Sequence, residues 1–289
     1  MDKKIALIGF GEAGRTFAGA GQWGASACAY DVLLDDPDMQ AALADTGVGF
    51  QATLAEVLDG APLILSLVTA DQAPLVAQAA AKIIAPGTFY CDMNSVAPQT
   101  KQASAGAIEA AGAYYVDVAV MAPVNPARLA VPLLVAGGRA GQAQALLAAM
   151  GFENMRIVGE EVGRASAIKM IRSVMVKGME ALTAECVLAA QQAGVLEEVL
   201  ASLDASEKPK PWEDRADYNL DRMMIHGQRR AAEMEEVVKT LEGLGTGAMM
   251  TRGTVERQRA IGDLGLKQPH DGLTHKIEQV NQKGGMQKA

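Results

Sequence analysis

The chain has 289 residues, a formal net charge of -8 and a pI near 5.0, a balance that opposes binding to nucleic acid or to anionic lipid. Its first apolar run spans about six residues, which is too short for a signal peptide or a membrane-spanning helix. Cys28, Cys91 and Cys186 are widely separated and lack metal-ligand spacing, so we expect core positions for all three, no bound metal and a reducing cytoplasm.

Short apolar segments alternate with alanine-rich amphipathic segments through the first half of the chain. The predicted strands are residues 4–10, 26–31, 62–68, 88–93, 114–120 and 131–137. The predicted covering helices begin at Thr16, Leu54, Asp71, Pro98 and Ala140. Continuous apolar strands alternating with helices predict a doubly wound, mostly parallel α/β sheet with helices on both faces.

The alternation ends near Gly159, and the sequence beyond it is predicted to be almost entirely helical. A long helix is expected over about residues 163–193, followed by helices that are interrupted by a linker-like segment at 206–214. A polar, glycine-containing tail from about Lys267 onward is expected to lie outside the helices. We therefore predict an α/β domain over residues 1–160 and an all-helical domain over 161–289.

The motif "GFGEAG" places Gly9, Gly11 and Gly14 directly after the first predicted strand and at the start of a helix. Such a turn lets the backbone and a helix N-terminus approach a pyrophosphate, although glycines alone could also serve only the turn. Asp31 ends the second predicted strand, 22 residues after Gly9, where a carboxylate can accept hydrogen bonds from ribose hydroxyls. The pattern predicts a Rossmann domain that prefers NAD, with NADP still possible.

These residues resemble the β-hydroxyacid dehydrogenases related to 6-phosphogluconate dehydrogenase and 3-hydroxyisobutyrate dehydrogenase, over residues 1–195. The motifs that carry the resemblance are "GFGEAG", "SLVT" (66–69), "DMNSVAP" (92–98) and "GRASAIKMIRS" (163–173). Beside Asp31, the resemblance implies cofactor contacts from Gly9, Phe10, Gly11, Glu12, Ala13, Gly14, Leu67, Val68, Thr69 and Asn94. The remainder resembles a poorly characterised branch of the family that has its own C-terminal helical domain.

Lys169 is the general acid/base that this resemblance implies. We expect it to project from an otherwise packed helix into a cleft, because an unpaired ammonium among apolar groups is costly. The alternative is a lysine that reaches the surface from an amphipathic helix. For Arg172 and Lys177, structural ion pairs with Glu180, Glu185 or a neighbour are favoured over a role in the site.

The expected substrate site departs from the family pattern. Ser173 replaces an asparagine of the catalytic helix, and "DVAVMAP" (117–123) replaces a loop whose serine and glycine N–H groups hold the substrate carboxylate. Proline has no N–H, so this anion site has to be rebuilt or the substrate differs. Tentative substrate residues are Ser95, Met121, Ala122, Pro123, Arg172, Ser173, Lys177, His226 and Arg229, with Asn125 and Arg128 as further candidate anchors.

The sequence thus favours an NAD(P)-dependent dehydrogenase that acts on a small anionic hydroxy acid or sugar acid. We expect a homodimer, because the helices after Gly163 carry more apolar surface than one chain could cover. Two alternatives stay open. One is an imine reductase of the same fold, against which the retained Lys169 argues, and the other is a non-catalytic NAD(P)-binding protein.

Overall fold

A computed structural model describes residues 5–206 and 209–284. The chain divides into two compact units, Met1–Val174 and Met175–Ala289. The division falls inside one long helix, fifteen residues beyond the last strand.

The first unit is built on an eight-stranded sheet. Its strands are β1 (Ile5–Ile8), β2 (Ala27–Tyr30), β3 (Gly49–Phe50), β4 (Leu63–Ser66), β5 (Phe89–Asp92), β6 (Tyr114–Val120), β7 (Leu133–Ala136) and β8 (Met155–Gly159). The strand order is β3-β2-β1-β4-β5-β6-β7-β8, and every neighbouring pair is parallel except β6 and β7. The predicted mostly parallel α/β architecture is confirmed.

The helices of the first unit follow the strands in alternation. They are α1 (Glu12–Ala20), α2 (Pro37–Thr46), α3 (Leu54–Leu58), α4 (Ala73–Ala81), α5 (Pro98–Ala110), α6 (Ala140–Ala149) and the start of α7 (Arg164–Ala193). The prediction that the first helix begins at Thr16 was wrong, because α1 starts directly from the glycine turn at Glu12. Helix α2 was not predicted, although Asp36 caps it and Pro37 occupies its first turn, which is a common helix start.

Both faces of the sheet are covered, as alternating burial along the strands requires. Leu7, Leu65 and Val116 belong to one apolar cluster with Phe17 of α1. Their chain neighbours point the other way, and Ile8, Ile64 and Tyr115 belong to a second cluster with residues of α3, α4 and α5. The site-forming loops therefore rest on a sheet that is fixed from both sides.

The second unit consists of the rest of α7 and four further helices, α8 (Leu196–Ser206), α9 (Trp212–Leu244), α10 (Met249–Gly262) and α11 (Leu273–Lys283). The polar tail was expected to lack such structure, and that prediction was wrong. Buried Lys276 of α11 pairs with Asp217 at 2.9 Å and with Asp221 at 3.1 Å, which attaches the tail helix to α9. The predicted linker at 206–214 lies partly outside the described residues, and α9 begins within it.

Within the described ranges, no helix is both long and apolar enough to span a membrane.

Candidate functional site

The glycine turn between β1 and α1 is fixed by close packing at two of its glycines and is open at the third. Gly9 has φ +92°, and a Cβ there would lie 2.5 Å from the carbonyl oxygen of Leu67. A Cβ at Gly14 would lie 2.8 Å from the carbonyl oxygen of Gly9. A Cβ at Gly11 would meet nothing within 4 Å. Of these three glycines, Gly11 is therefore the one with open space beside it.

Helix α1 presents its N-terminus to this open space. Its N-cap is Gly11, so the helix has no capping side chain of its own to satisfy its first N–H groups. Such a terminus favours anionic oxygens, because the N–H groups and the helix dipole point the same way. The carboxylate of Glu12 in the first turn would repel a phosphate, so any favourable contact from Glu12 would have to come from its backbone N–H.

Asp31 joins the ends of β1 and β2. Its Oδ2 accepts the backbone N–H of Phe10 at 2.7 Å, and its Oδ1 accepts the backbone N–H of Leu33 at 2.9 Å. Each carboxylate oxygen can accept a further hydrogen bond, so ribose hydroxyls could still be bound. Asp31 is thus part of the turn as well as a candidate cofactor contact, a structural role that the sequence did not predict.

A cavity of about 370 Å³, here called the Asp31 cavity, lies at the carboxyl ends of β1, β2 and β4. The strand order reverses beside β1, which is where open parallel sheets bind their ligands. Its lining residues are Ile8, Gly9, Gly11, Glu12, Tyr30, Asp31, Val32, Leu33, Met39, Leu67, Val68, Thr69, Gln72 and Val76. A mostly apolar lining with the Asp31 carboxylate at the end of β2 fits the adenosine half of a dinucleotide.

A second cavity of about 470 Å³, here called the Lys169 cavity, adjoins the first. The two share Glu12, Leu67, Val68 and Thr69. The other lining residues of the Lys169 cavity are Ala13, Ala70, Met93, Asn94, Ser95, Val120, Ala122, Pro123, Val124 and Lys169. A dinucleotide in the Asp31 cavity could therefore extend along the glycine turn toward Lys169.

Lys169 lies on the second turn of α7, half-buried, and its Nζ donates a hydrogen bond to Ser95 Oγ at 2.6 Å. Ser95 was expected to be a substrate residue, but its contact with Lys169 was not predicted. Ile168 and Ile171 beside Lys169 are exposed in the single chain, so the expectation of an otherwise packed helix depends on the predicted second copy and stays a prediction. Lys169 is nevertheless directed at a cavity wall and a hydroxyl, a geometry that suits proton exchange.

Asn94 is a buried amide at the wall of the Lys169 cavity, 4% exposed. Its backbone N–H donates to Asp92 Oδ1 and its Nδ2 to Ser66 Oγ, both at 2.9 Å. Its Oδ1 has no hydrogen-bond partner within the described part of the chain. An unsatisfied buried acceptor is costly, so Asn94 Oδ1 is a candidate acceptor for a bound water or for a ligand donor such as the carboxamide of a nicotinamide.

The loop that departs from the family pattern borders the same cavity. Ala122 and Pro123 line it, and the carbonyl oxygen of Met121 lies 3.5 Å from a guanidinium nitrogen of Arg172. Ser173 Oγ donates to the carbonyl oxygen of Lys169 one turn earlier. That hydroxyl is used within its own helix.

The remaining candidates lie elsewhere. Asn125 and Arg128 line a separate cleft bounded by α1 and α2. Lys177 on α7 and His226 and Arg229 on α9 belong to the second unit, and their part in a substrate site stays a prediction.

Glu185 was suggested as an ion-pair partner of Arg172 or Lys177, but the structure gives its carboxylate a different role. Its carboxylate accepts the backbone N–H groups of Met250 and Thr251, both at 2.9 Å, and so caps α10. The other suggested partner, Glu180, lies outside the described side chains.

The cysteines divide by environment. Cys91 is buried, and burial together with the nearby charge of Asp92 raises the pKa of its thiol to about 12. A thiol that stays protonated is a poor nucleophile, so Cys91 is a packing residue. Cys28 is half-buried, and Cys186 is exposed on α7, so its predicted core position was wrong.

A cluster of buried charges behind the cavity was missed by the sequence analysis. Asp92 and Asp117 are direct neighbours on β5 and β6, and Lys101 of α5 lies between them. The hydroxyl of Tyr115 donates to Asp92 at 2.6 Å. Burial together with the charge of Asp92 raises the pKa of Tyr115 far above its ordinary value. The signal was present, because a carboxylate inside an apolar strand requires a partner.

Comparison with protein families gives two matches. The NAD binding domain of 6-phosphogluconate dehydrogenase matches residues 4–159, and a domain of unknown function, DUF1932, matches residues 190–261. The first match spans every strand of the sheet and both sides of the glycine turn.

Solved structures similar to the chain include a conserved hypothetical protein from Sinorhizobium meliloti 1021, 39% identical, with 98% of this chain and 97% of that one covered and a TM-score of 0.60. Another is a conserved protein of unknown function described as structurally similar to 3-hydroxyacid dehydrogenases, 26% identical, with 96% and 99% covered and a TM-score of 0.58. An imine reductase from Myxococcus stipitatus in complex with NADP+ is 17% identical, with 96% and 99% covered and a TM-score of 0.75, and so shares the fold.

Proposed function

The chain belongs to the family defined by the NAD binding domain of 6-phosphogluconate dehydrogenase, and on that premise we propose that it oxidises or reduces a small hydroxy acid or sugar acid with NAD(P). Its fold is the NAD(P)-binding oxidoreductase fold of the 3-hydroxyacid dehydrogenase and imine reductase type. The observation that carries the proposal is the 2.6 Å hydrogen bond between Lys169 and Ser95 in a cavity adjoining the glycine turn.

The nicotinamide, when bound, exchanges a hydride with the hydroxyl-bearing carbon of the substrate. Lys169 exchanges the accompanying proton with the substrate oxygen, and Ser95 holds the Lys169 ammonium toward the cavity. In oxidation the neutral amine of Lys169 removes the hydroxyl proton, so the rate rises with pH. In reduction the ammonium gives a proton to the carbonyl oxygen, so the rate falls with pH.

Binding of the cofactor rests on the open side of the glycine turn and on Asp31. The backbone around Gly11 and the N-terminus of α1 hold the pyrophosphate, and Asp31 accepts the ribose hydroxyls. A 2′-phosphate would be repelled by the carboxylate of Asp31, so NAD is the preferred form. Asn94 Oδ1 supplies the acceptor that a nicotinamide carboxamide needs.

Arg172 is the proposed anchor for the anionic end of the substrate. It stands three residues after Lys169 on α7 and is exposed, and its contact of 3.5 Å to the carbonyl oxygen of Met121 involves one of its five guanidinium N–H groups. A guanidinium can bind both oxygens of a carboxylate. It would replace the backbone N–H groups that the family's loop supplies and that Pro123 lacks.

The experiment is a panel of hydroxy acids, sugar acids and cyclic imines, each tested with both cofactors, followed by Lys169→Arg and Lys169→Ala on whatever is turned over. Arginine keeps the charge but does not release its proton near neutral pH. Both variants should lose about 10²- to 10⁴-fold in rate, the usual contribution of a positioned acid or base. NADH affinity should stay within about twofold.

The matched control is Lys82→Ala, which removes an exposed lysine at the end of α4 and should leave the rate unchanged. An active Lys169→Arg enzyme would show that Lys169 does not transfer the proton, and the hydroxy-acid mechanism would then fail for this chain.

Imine reduction is the second candidate, and the loop at Met121, Ala122 and Pro123 favours it. That loop offers fewer N–H donors to a carboxylate than the family's usual loop, and solved imine reductases share the fold. Turnover of cyclic imines without turnover of any acid would support this reading. Tight NADH binding with no turnover of either class would instead support a non-catalytic cofactor-binding protein.

A homodimer is proposed from the exposed face of α7. Ile171, Met175, Met179 and Leu182 are all more than two-fifths exposed, and their spacing places them on one stripe of the helix. An apolar stripe of this length on an otherwise folded chain is typical of a protein interface. A second copy of the chain is the proposed partner.

A further inference from the structure

We propose that the buried cluster Asp92, Lys101 and Asp117 positions both partners of the Lys169–Ser95 hydrogen bond, Asp117 by holding the first turn of α7 and Asp92 by holding the loop after β5. This inference rests on the proposed role of Lys169 and concerns residues that do not themselves touch the substrate. They are positioning residues.

The first arm of the cluster runs from the sheet to α7. Oδ2 of Asp117 accepts the backbone N–H of Gly163 at 3.1 Å, the backbone N–H of Ser166 at 3.0 Å and the hydroxyl of Ser166 at 3.1 Å. A carboxylate on a neighbouring strand therefore caps the helix, where both the unpaired N–H groups and the helix dipole favour a negative charge. Lys169 follows Ser166 by three residues, about 4.5 Å along the helix.

The second arm runs from the sheet to Ser95. Oδ1 of Asp92 accepts the backbone N–H of Asn94 at 2.9 Å, which fixes the loop immediately before Ser95. Oδ2 of Asp92 accepts the hydroxyl of Tyr115 at 2.6 Å. Both carboxylate oxygens of Asp92 thus accept buried hydrogen bonds, and the loop cannot shift without losing one of them.

Lys101 joins the two arms. Asp92 and Asp117 are adjacent in the sheet, and two buried carboxylates so placed would repel each other without a cation. The Lys101 ammonium donates to the backbone oxygen of Asp92 at 2.6 Å and to its Oδ1 at 2.8 Å, and it lies 3.5 Å from Asp117 Oδ1. All three side chains are essentially inaccessible to solvent, so their geometry is set by one another.

The consequence is geometric. Lys169 and Ser95 are 74 residues apart in the chain. Each lies within three residues of a backbone N–H that donates to a carboxylate of the cluster, Ser166 to Asp117 and Asn94 to Asp92. A displacement of either arm changes the distance between the Lys169 ammonium and the hydroxyl that orients it. A misplacement of about 1 Å can lower a rate about 10²-fold.

The test is Asp117→Asn. An amide offers one oxygen and one NH2 group, so it cannot both accept from the α7 N-terminus and face the Lys101 ammonium with an oxygen. The substitution is nearly isosteric and leaves Lys101 paired with Asp92, which favours folding. We expect kcat to fall about 10- to 100-fold, with KM and NADH affinity within about twofold and with the pH profile of kcat displaced.

A second readout needs no substrate. In protein labelled with carbon-13 lysine, the Cε signal of Lys169, identified by its loss in Lys169→Arg, should change position and pH titration in Asp117→Asn. This measurement separates the inference from the proposed function, because it remains informative if no substrate of the panel is turned over. The matched control is Asp36→Asn, which removes a carboxylate cap from exposed α2 and should move neither readout.

An Asp117→Asn protein with an unchanged Lys169 signal would overturn the inference, as would one with the rate and pH profile of the wild type. If Asp117→Asn does not fold, Ser166→Ala replaces it, because this variant keeps the backbone N–H that donates to Asp117 and loses only the hydroxyl, which contacts Asp117 Oδ2 and the carbonyl oxygen of Gly163. A smaller change of the Lys169 signal in the same direction is then expected. An unaltered signal in Ser166→Ala would likewise overturn the inference.

Discussion

Two alanine substitutions in the glycine turn should separate folding from cofactor binding. Gly9→Ala places a Cβ 2.5 Å from the carbonyl oxygen of Leu67 and forces a residue with a side chain to φ +92°. A strained backbone of this kind costs about 1–3 kcal/mol, and an overpacked contact costs about 1–3 kcal/mol more. We expect Gly9→Ala to lower the free energy of unfolding by about 3 kcal/mol, seen as a melting temperature lower by about 10 °C.

Gly11→Ala should instead leave the stability of the fold nearly unchanged and weaken cofactor binding. Its Cβ would meet nothing within 4 Å, and the backbone at Gly11 has φ -69°, which alanine adopts without strain. Alanine is a poorer N-cap than glycine by several tenths of a kcal/mol, but it also lowers the entropy of the unfolded chain by a similar amount. The free energy of unfolding should therefore stay within about 0.5 kcal/mol.

The added methyl group occupies the space through which a pyrophosphate would approach the backbone. We expect the NADH dissociation constant of Gly11→Ala to rise at least about tenfold, equivalent to about 1.4 kcal/mol. Thermal melts without cofactor and fluorescence titration with NADH measure the two quantities separately. Wild-type NADH affinity in Gly11→Ala would refute the placement of the pyrophosphate, and wild-type stability in Gly9→Ala would refute the packing argument.

Three further predictions concern the rest of the chain. Asp31→Ala leaves the N–H of Phe10 without its acceptor, so it should lower the free energy of unfolding by about 1–3 kcal/mol. It should also weaken NADH binding in a titration, and tighter binding of NADPH than NADH by the wild type would contradict the NAD preference. At Glu185, burial raises the pKa, but hydrogen bonds from Thr251 and from backbone N–H groups outweigh it and lower the pKa from its ordinary 4.5. That stabilisation is present above the ordinary pKa and is lost as pH falls through the lowered pKa. Glu185→Gln should therefore lower the free energy of unfolding by about 1 kcal/mol at neutral pH and approach the wild type in acid. Urea unfolding at several pH values would show this, and an equal loss at every pH would argue against the cap. Ile171→Lys, which charges a side chain that is 71% exposed, should convert a dimer to a monomer in light scattering at micromolar concentration, whereas a monomeric wild type would refute the dimer.

The strands of the first unit could be predicted where the sequence carries uninterrupted apolar runs. Strands β4 and β5 are such runs, and both were located to within a few residues. Strands β3 and β8 were missed for a physical reason, since they lie at the two edges of the sheet. Edge strands are less buried and show weaker hydrophobic patterns, as the exposed Gly49–Phe50 strand does.

The glycine turn is the part of the site that the sequence predicted best, because its chemistry is local. Gly9, Gly14 and the helix start lie within six residues, and their spacing alone fixes the turn. The contact between Lys169 and Ser95 depends on how α7 returns to the end of β5. No local pattern encodes that return, so both residues were named as candidates and their contact was not.

The buried cluster shows where sequence reasoning could have gone further. Asp92 and Asp117 both stand inside segments that were predicted as strands, and a carboxylate buried in a sheet needs a cation or several donors. A helix that follows a parallel strand begins at the carboxyl end of that strand, where Asp92 stands, and Lys101 occupies the first turn of the helix after β5. Lys101 was therefore the predictable partner of Asp92. What could not be predicted is the second use of Asp117, because its capping of α7 depends on where that helix begins after β8, 46 residues later in the chain.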